Sequence, residues 1–136
     1  MIIPNPVLKI VYHPGKDVLF VEWPEFSEET LRKAEFILTT VLDTINTYKV
    51  KNLLSDNRKG KIEIPPQIYK DIAHRFAVEL ENSSLKKIAR IIIEDNLRAQ
   101  SVKEVSQRAN LTLLIKSFYT VKDGFDWLTS DKPNEN

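Results

Sequence analysis

The residues of this chain best suited to chemistry fall in two polar stretches, Ser55-Asp56-Asn57-Arg58 and Glu94-Asp95-Asn96. Each follows a short apolar run that reads as a strand, Val50–Ser55 and Ile88–Ile93. Ligands of open parallel sheets gather beyond the carboxyl ends of the strands. If these two strands run parallel, both stretches lie at one edge, and Ser55, Asp56, Asn57, Arg58, Glu94 and Asp95 surround a small polar ligand site. A carboxylate pair such as Asp56 with Glu94 or Asp95 could move a proton if one pKa were shifted. It could also hold Mg²⁺ through its oxygens. The same residues read equally as structure: Asp56 and Asn57 as a turn, Asp95 or Asn96 as a helix cap, and Arg58 as the partner of a buried acid. No spacing among them marks a catalytic pair, so no catalytic residue is assigned and nothing specific supports an enzyme over a non-catalytic protein, the reading favoured here.

Other chemistries have less to draw on. His13 and His74 are the only histidines, and the chain has no cysteine. A zinc site needs about three or four ligands, so no metal site is expected. Both histidines read as solvated, His13 beside a turn and His74 on the outer side of a helix. The three glycines are isolated, so no glycine-rich phosphate loop exists, and no cofactor is expected.

These residues must be positioned by elements that the 136-residue chain can build. Hydrophobic residues make up 42% and charged residues 29%, a balance that supports a folded core rather than disorder. Twenty basic residues against nineteen acidic ones leave a net charge of +1. The short basic runs, Arg58-Lys59-Gly60-Lys61 and Lys86-Lys87 with Arg90, read as solvated loop ends, so nucleic-acid binding is not expected. The first residues, Met1 to Pro6, lack a basic stretch followed by an apolar run, and no apolar run reaches the roughly 20 residues needed to span a bilayer. A cytoplasmic location without a membrane span is the expectation.

Alternation predicts a strand over Val7–His13 and another over Val18–Trp23, joined by Pro14-Gly15-Lys16-Asp17 as an antiparallel hairpin. Ser27 caps one long helix running to about Tyr48, with Leu31, Ala34, Leu38, Val41, Leu42 and Ile45 on its apolar stripe. Strand Val50–Ser55 follows. Pro65-Pro66 opens a second helix with Ile68, Ile72, Phe76 and Leu80 on its buried side. Strand Ile88–Ile93 lacks polar alternation, as expected when both sheet faces are covered. A third helix spans about Leu97–Ala109, a fifth strand Leu111–Phe118, and a last helix Val121–Leu128, capped by Thr120. The expected fold is α/β: a mixed, mostly parallel five-stranded sheet with an N-terminal antiparallel hairpin and covering helices. Residues 1–130 form one domain in this reading, and 131–136 a frayed tail.

The hairpin, the long helix, the stretch Lys51-Asn52-Leu53-Leu54-Ser55-Asp56-Asn57-Arg58 and the ending Phe118…Phe125-Asp126-Trp127-Leu128 resemble small bacterial proteins of the SpoIIAA-like (STAS/SEC14-like) family, over about Leu8–Leu128. The resemblance implies an α/β sandwich built as turns of a βα superhelix and a mostly non-catalytic role. Anti-sigma-factor antagonists of the wider family bind a partner kinase and are switched by a phosphorylated serine in an Asp-Ser-Ser-Gly-like motif at a helix entry. This chain departs there. Ser55 precedes the acid, two prolines stand at the helix entry, and the switch is not carried over. The SEC14-like side of the resemblance implies an apolar, lipid-like ligand.

Phe36 falls opposite the apolar stripe of the first helix, among Arg32, Lys33, Thr40, Asp43 and Thr47. Trp23, Phe26 and Tyr119 fall near element ends. Exposed together, such aromatics would mark a partner or homodimer interface, for which Phe36, Trp23 and Phe26 are the candidates. The leading expectation is a STAS-like interaction or regulatory module. The alternative is a carrier or sensor of a small apolar ligand, and the third reading a small hydrolase or lyase.

Overall fold

Pro14–Asp17 reverses the chain between two antiparallel strands, β2 (Lys9–His13) and β3 (Val18–Glu22), and Asp17 takes the left-handed conformation at φ 54°. Aspartate tolerates that region because its short side chain bonds locally. Here the carboxylate accepts from the Tyr12 hydroxyl at 3.1 Å. A two-residue strand, β1 (Ile2–Ile3), pairs antiparallel with β2 on its other side, Ile2 opposite Val11.

The computed structural model describes residues 1–3, 8–25, 27–59, 65–93 and 113–130. Beyond β3 they comprise helix α1 (Glu28–Arg32), helix α2 (Ala34–Tyr48), strand β4 (Asn52–Asp56), helix α3 (Pro66–Glu81), strand β5 (Lys87–Ile91), strand β6 (Leu114–Phe118) and helix α4 (Val121–Leu128). The six strands form one mixed sheet in chain order, with β3, β4, β5 and β6 parallel. Sequence alone indicates five strands. β1 is the sixth, and two residues are too few to show any period; only its pairing with β2 defines it.

The long first helix is also divided. Ser27 and Thr30 form a capping box, and the Lys33 N–H bonds back to Thr30 O at 3.0 Å. That tight closure ends α1 after five residues, with Lys33 at φ −102°, ψ 4°. α2 then continues to Lys49, whose left-handed φ of 54° terminates it. The expected third helix, Leu97–Ala109, and the tail 131–136 lie outside the described residues, as do Leu111 and Thr112 of the expected fifth strand.

Neighbouring residues of the central strands point to opposite faces, and both faces are packed. Leu19, Val21, Leu53 and Ile88 join Ile37, Leu38, Val41 and Ile45 of α2 in the larger core. Val18, Leu54, Ala89 and Ile91 join Leu128 of α4 in the second. Burial of each such aliphatic side chain contributes roughly 1.5–3 kcal/mol. Gly124 lets α4 sit close: a Cβ there would stand 2.7 Å from Ile91 Cδ1 and 3.3 Å from Ala89 Cβ.

On α3, Leu80 and Ala77 are buried and Ile72 and Phe76 pack partly on the core, but Ile68 is 40% exposed. The reason is the helix's height. Phe76 meets Trp23, just beyond β3, edge-on at 5.6 Å. Ile68 lies two turns earlier, about 12 Å further along the axis, past the strand ends that would cover it.

Candidate functional site

β4 and its exit hold the polar residues singled out above, but the pleat sends them apart. Ser55 shares the α2–α3 face with Leu53, whereas Asp56 shares the α4 face with Leu54. Both are buried.

Asp56 is bound by its own turn. Its Oδ1 accepts from the Arg58 backbone N–H at 3.1 Å and from Arg58 Nε at 3.0 Å, and its Oδ2 accepts from Arg58 Nη2 at 2.9 Å. Burial alone would raise the carboxyl pKa. The Arg58 side-chain bonds, its backbone N–H and the charges of Arg58 and Lys59 outweigh that and hold it below the usual carboxylate range. One strand away, Glu22 accepts from Lys59 Nζ at 2.8 Å.

Ser55 belongs to a separate chain of bonds. Trp23 Nε1 donates to Ser55 Oγ at 2.6 Å, and Ser55 donates to Asn57 Oδ1 at 2.7 Å. Backbone bonds tie the same turn to both neighbouring strands. The Trp23 N–H donates to Asp56 O at 3.0 Å and the Asn57 N–H to Ile91 O at 2.9 Å. Ser55 is aligned with Arg90 of β5, and Arg90 is buried at 6% exposure. The reading of Arg90 as a solvated loop end is thus corrected. Its setting, Ile88-Ala89-Arg90-Ile91-Ile92, was the available signal, since apolar residues enclose it on both sides.

The structure therefore brings Ser55, Asp56, Asn57 and Arg58 together in one turn, divided between two faces. Glu94 and Asp95 lie outside the described residues, so the edge they would complete is not described. Among the described residues no cluster of three or more potential metal ligands occurs. An open recess lined by Ser27, Glu28, Glu29 and Arg32 lies on α1 and its cap. His74 is half-buried rather than solvated, and its Nδ1 is buried without a hydrogen-bond partner among the described residues.

The aromatic candidates separate as well. Phe36 is 55% exposed and Tyr119 62%. Trp23 is buried at 6%, held between Ser55 and Phe76, which corrects its expected place at a surface. Phe26 lies outside the described residues. Beside Phe36, Glu35 of α2 stands 3.9 Å from Arg75 of α3.

The chain matches no protein-family model, no curated protein and no solved structure with which it was compared. The fold and the site define an α/β protein with a mixed six-stranded sheet. Among its described residues no helix is long and apolar enough to cross a membrane.

Proposed function

We propose that this chain is a non-catalytic interaction module of the SpoIIAA-like (STAS/SEC14-like) kind, with the outer face of α2 around Phe36 as its partner or homodimer surface. Phe36 carries this reading. A phenyl ring more than half exposed on a well-packed helix contributes nothing to the core and gains from being covered. Two further features support it. Four consecutive parallel strands suit the βα superhelix that the resemblance implies. The carboxyl-edge polar groups are occupied by one another: Asp56 by Arg58, and Ser55 by Trp23 and Asn57. A carboxylate held ionised by a bidentate guanidinium is a poor general acid at neutral pH, which weighs against the hydrolase reading.

Sedimentation and partner capture with the native chain and Phe36→Asp test the proposal. The expected result is a dimer or a recovered partner that is lost in Phe36→Asp, while Trp23 fluorescence stays native. A chain that stays monomeric at high concentration and recovers no partner overturns it. So does an association indifferent to Phe36→Asp.

A further inference from the structure

On the α4 side of the sheet, lysines and aromatic rings alternate. Lys116 Nζ lies 5.7 Å from the Phe118 ring centre, Phe118 lies 5.7 Å from Trp127, and Lys87 Nζ lies 5.3 Å from Trp127. Lys87 and Lys116 thus share one face of two adjacent parallel strands, β5 and β6, about 4.8 Å apart. Neither forms an ion pair among the described residues. Leu114 beside them is 46% exposed.

β6 is the last strand of the sheet among the described residues. Leu114 N–H and Phe118 O face β5. By strand alternation the N–H groups of Ile115 and Ser117 point away from β5. Resting on the reading of the chain as an interaction module, we propose that the β6 edge, with its Lys116 and the neighbouring Lys87 of β5, docks an acidic, extended segment of a partner protein, which adds to the sheet as a further strand.

Charge complementarity selects this occupant. A lone edge lysine ordinarily blunts pairing with another strand. Here the Lys116 and Lys87 ammonium groups rest against aromatic rings on one face, so carboxylates on that face of an incoming strand meet Lys116 directly and Lys87 one strand further in. Both cations are lysines, and nucleic-acid readers favour the planar fork of arginine. The rings of Phe118 and Trp127 are partly buried and engaged with the lysines and each other, which leaves less face for a stacked base.

The test uses fluorescence anisotropy with the full chain and two labelled ten-residue peptides, alternating Thr-Glu and alternating Thr-Lys. The Thr-Glu peptide is expected to bind, at least tenfold tighter than Thr-Lys, and to weaken as salt rises. Lys87→Glu with Lys116→Glu should reverse the preference. Ser117→Pro removes one outward N–H and leaves the β5 ladder intact; it should weaken binding at least tenfold while native Trp fluorescence persists. No binding of the Thr-Glu peptide at millimolar concentration overturns the proposal, as does binding unchanged by Ser117→Pro. Tighter binding of a ten-residue oligothymidylate or of phosphatidylserine vesicles overturns it in favour of those partners. A Phe36-dependent association that survives any of these results leaves the broader reading standing and removes this one alone.

Discussion

The indole N–H of Trp23 donates to the hydroxyl of Ser55 at 2.6 Å, both side chains lying inside the protein though 32 residues apart in sequence. The bond fastens the chain just beyond β3 to the last turn of β4. Ser55→Ala removes the acceptor and leaves a buried N–H without its partner. A loss of about 1–3 kcal/mol is expected, read by chemical denaturation, with a shift in Trp23 emission. Unchanged stability would mean that the indole finds another acceptor.

Asp56 links stability to pH. Its folded pKa lies below the unfolded value of about 3.9, because Arg58 outweighs burial. As pH falls, the unfolded chain takes up the proton first. The contribution of the pair is complete above about pH 5 and disappears as the pH drops through the folded pKa. Asp56→Asn should cost about 1–3 kcal/mol at neutral pH, nearer the lower figure because the Arg58 side chain is 41% exposed. The gap between the two proteins should close below pH 4. A gap constant down to acid pH would contradict the assigned pairing.

Gly124 sits in a helix yet has no room for a methyl group. Alanine gains up to about 1 kcal/mol in helix propensity. Against that, its Cβ would meet Ile91 Cδ1 at 2.7 Å and Ala89 Cβ at 3.3 Å. Overpacking of this kind costs about 1–3 kcal/mol, so Gly124→Ala should lower the melting temperature. Ile91→Val, by withdrawing the offending carbon, should lessen the penalty in the double variant relative to the sum of the two singles.

Ser27 governs a local unit. α1 buries none of its residues and is held at its start by the Ser27–Thr30 box. Ser27→Ala should speed amide exchange across residues 28–33 while residues 37–45 of α2 keep their protection. Helix caps of this type are worth about 0.5–2 kcal/mol, and here most of that is local. Equal deprotection of both helices would show that α1 and α2 open as one.

Periodicity carried the elements whose residues bury one face. α2 and the β2–β3 hairpin were legible because apolar spacing in each matches its own period. It carried less where geometry is set from a distance. Ile68 keeps perfect helical spacing with Ile72 and Phe76, yet lies beyond the sheet that would bury it. Residue types indicate a turn at Asp56 and Asn57, but they cannot state that the strand runs on through Asp56 or that its pleat divides Ser55 from Asp56. Trp23 read as a surface aromatic because its acceptor lies in another element.

By itself the sequence determined the alternation of strand and helix, the hairpin, the capped start of α1 and the last helix after Thr120. These depend on contacts within a few residues, where backbone propensity and side-chain spacing act directly. Only the tertiary structure decided that β1 joins the sheet, that Arg90 is interior, that Asp56 closes on Arg58 while Ser55 holds Trp23, and that Lys87 and Lys116 of adjacent strands share one face with Phe118 and Trp127. Those outcomes depend on which strands become neighbours and how far each helix is displaced along them, quantities that long-range packing sets and no local pattern encodes.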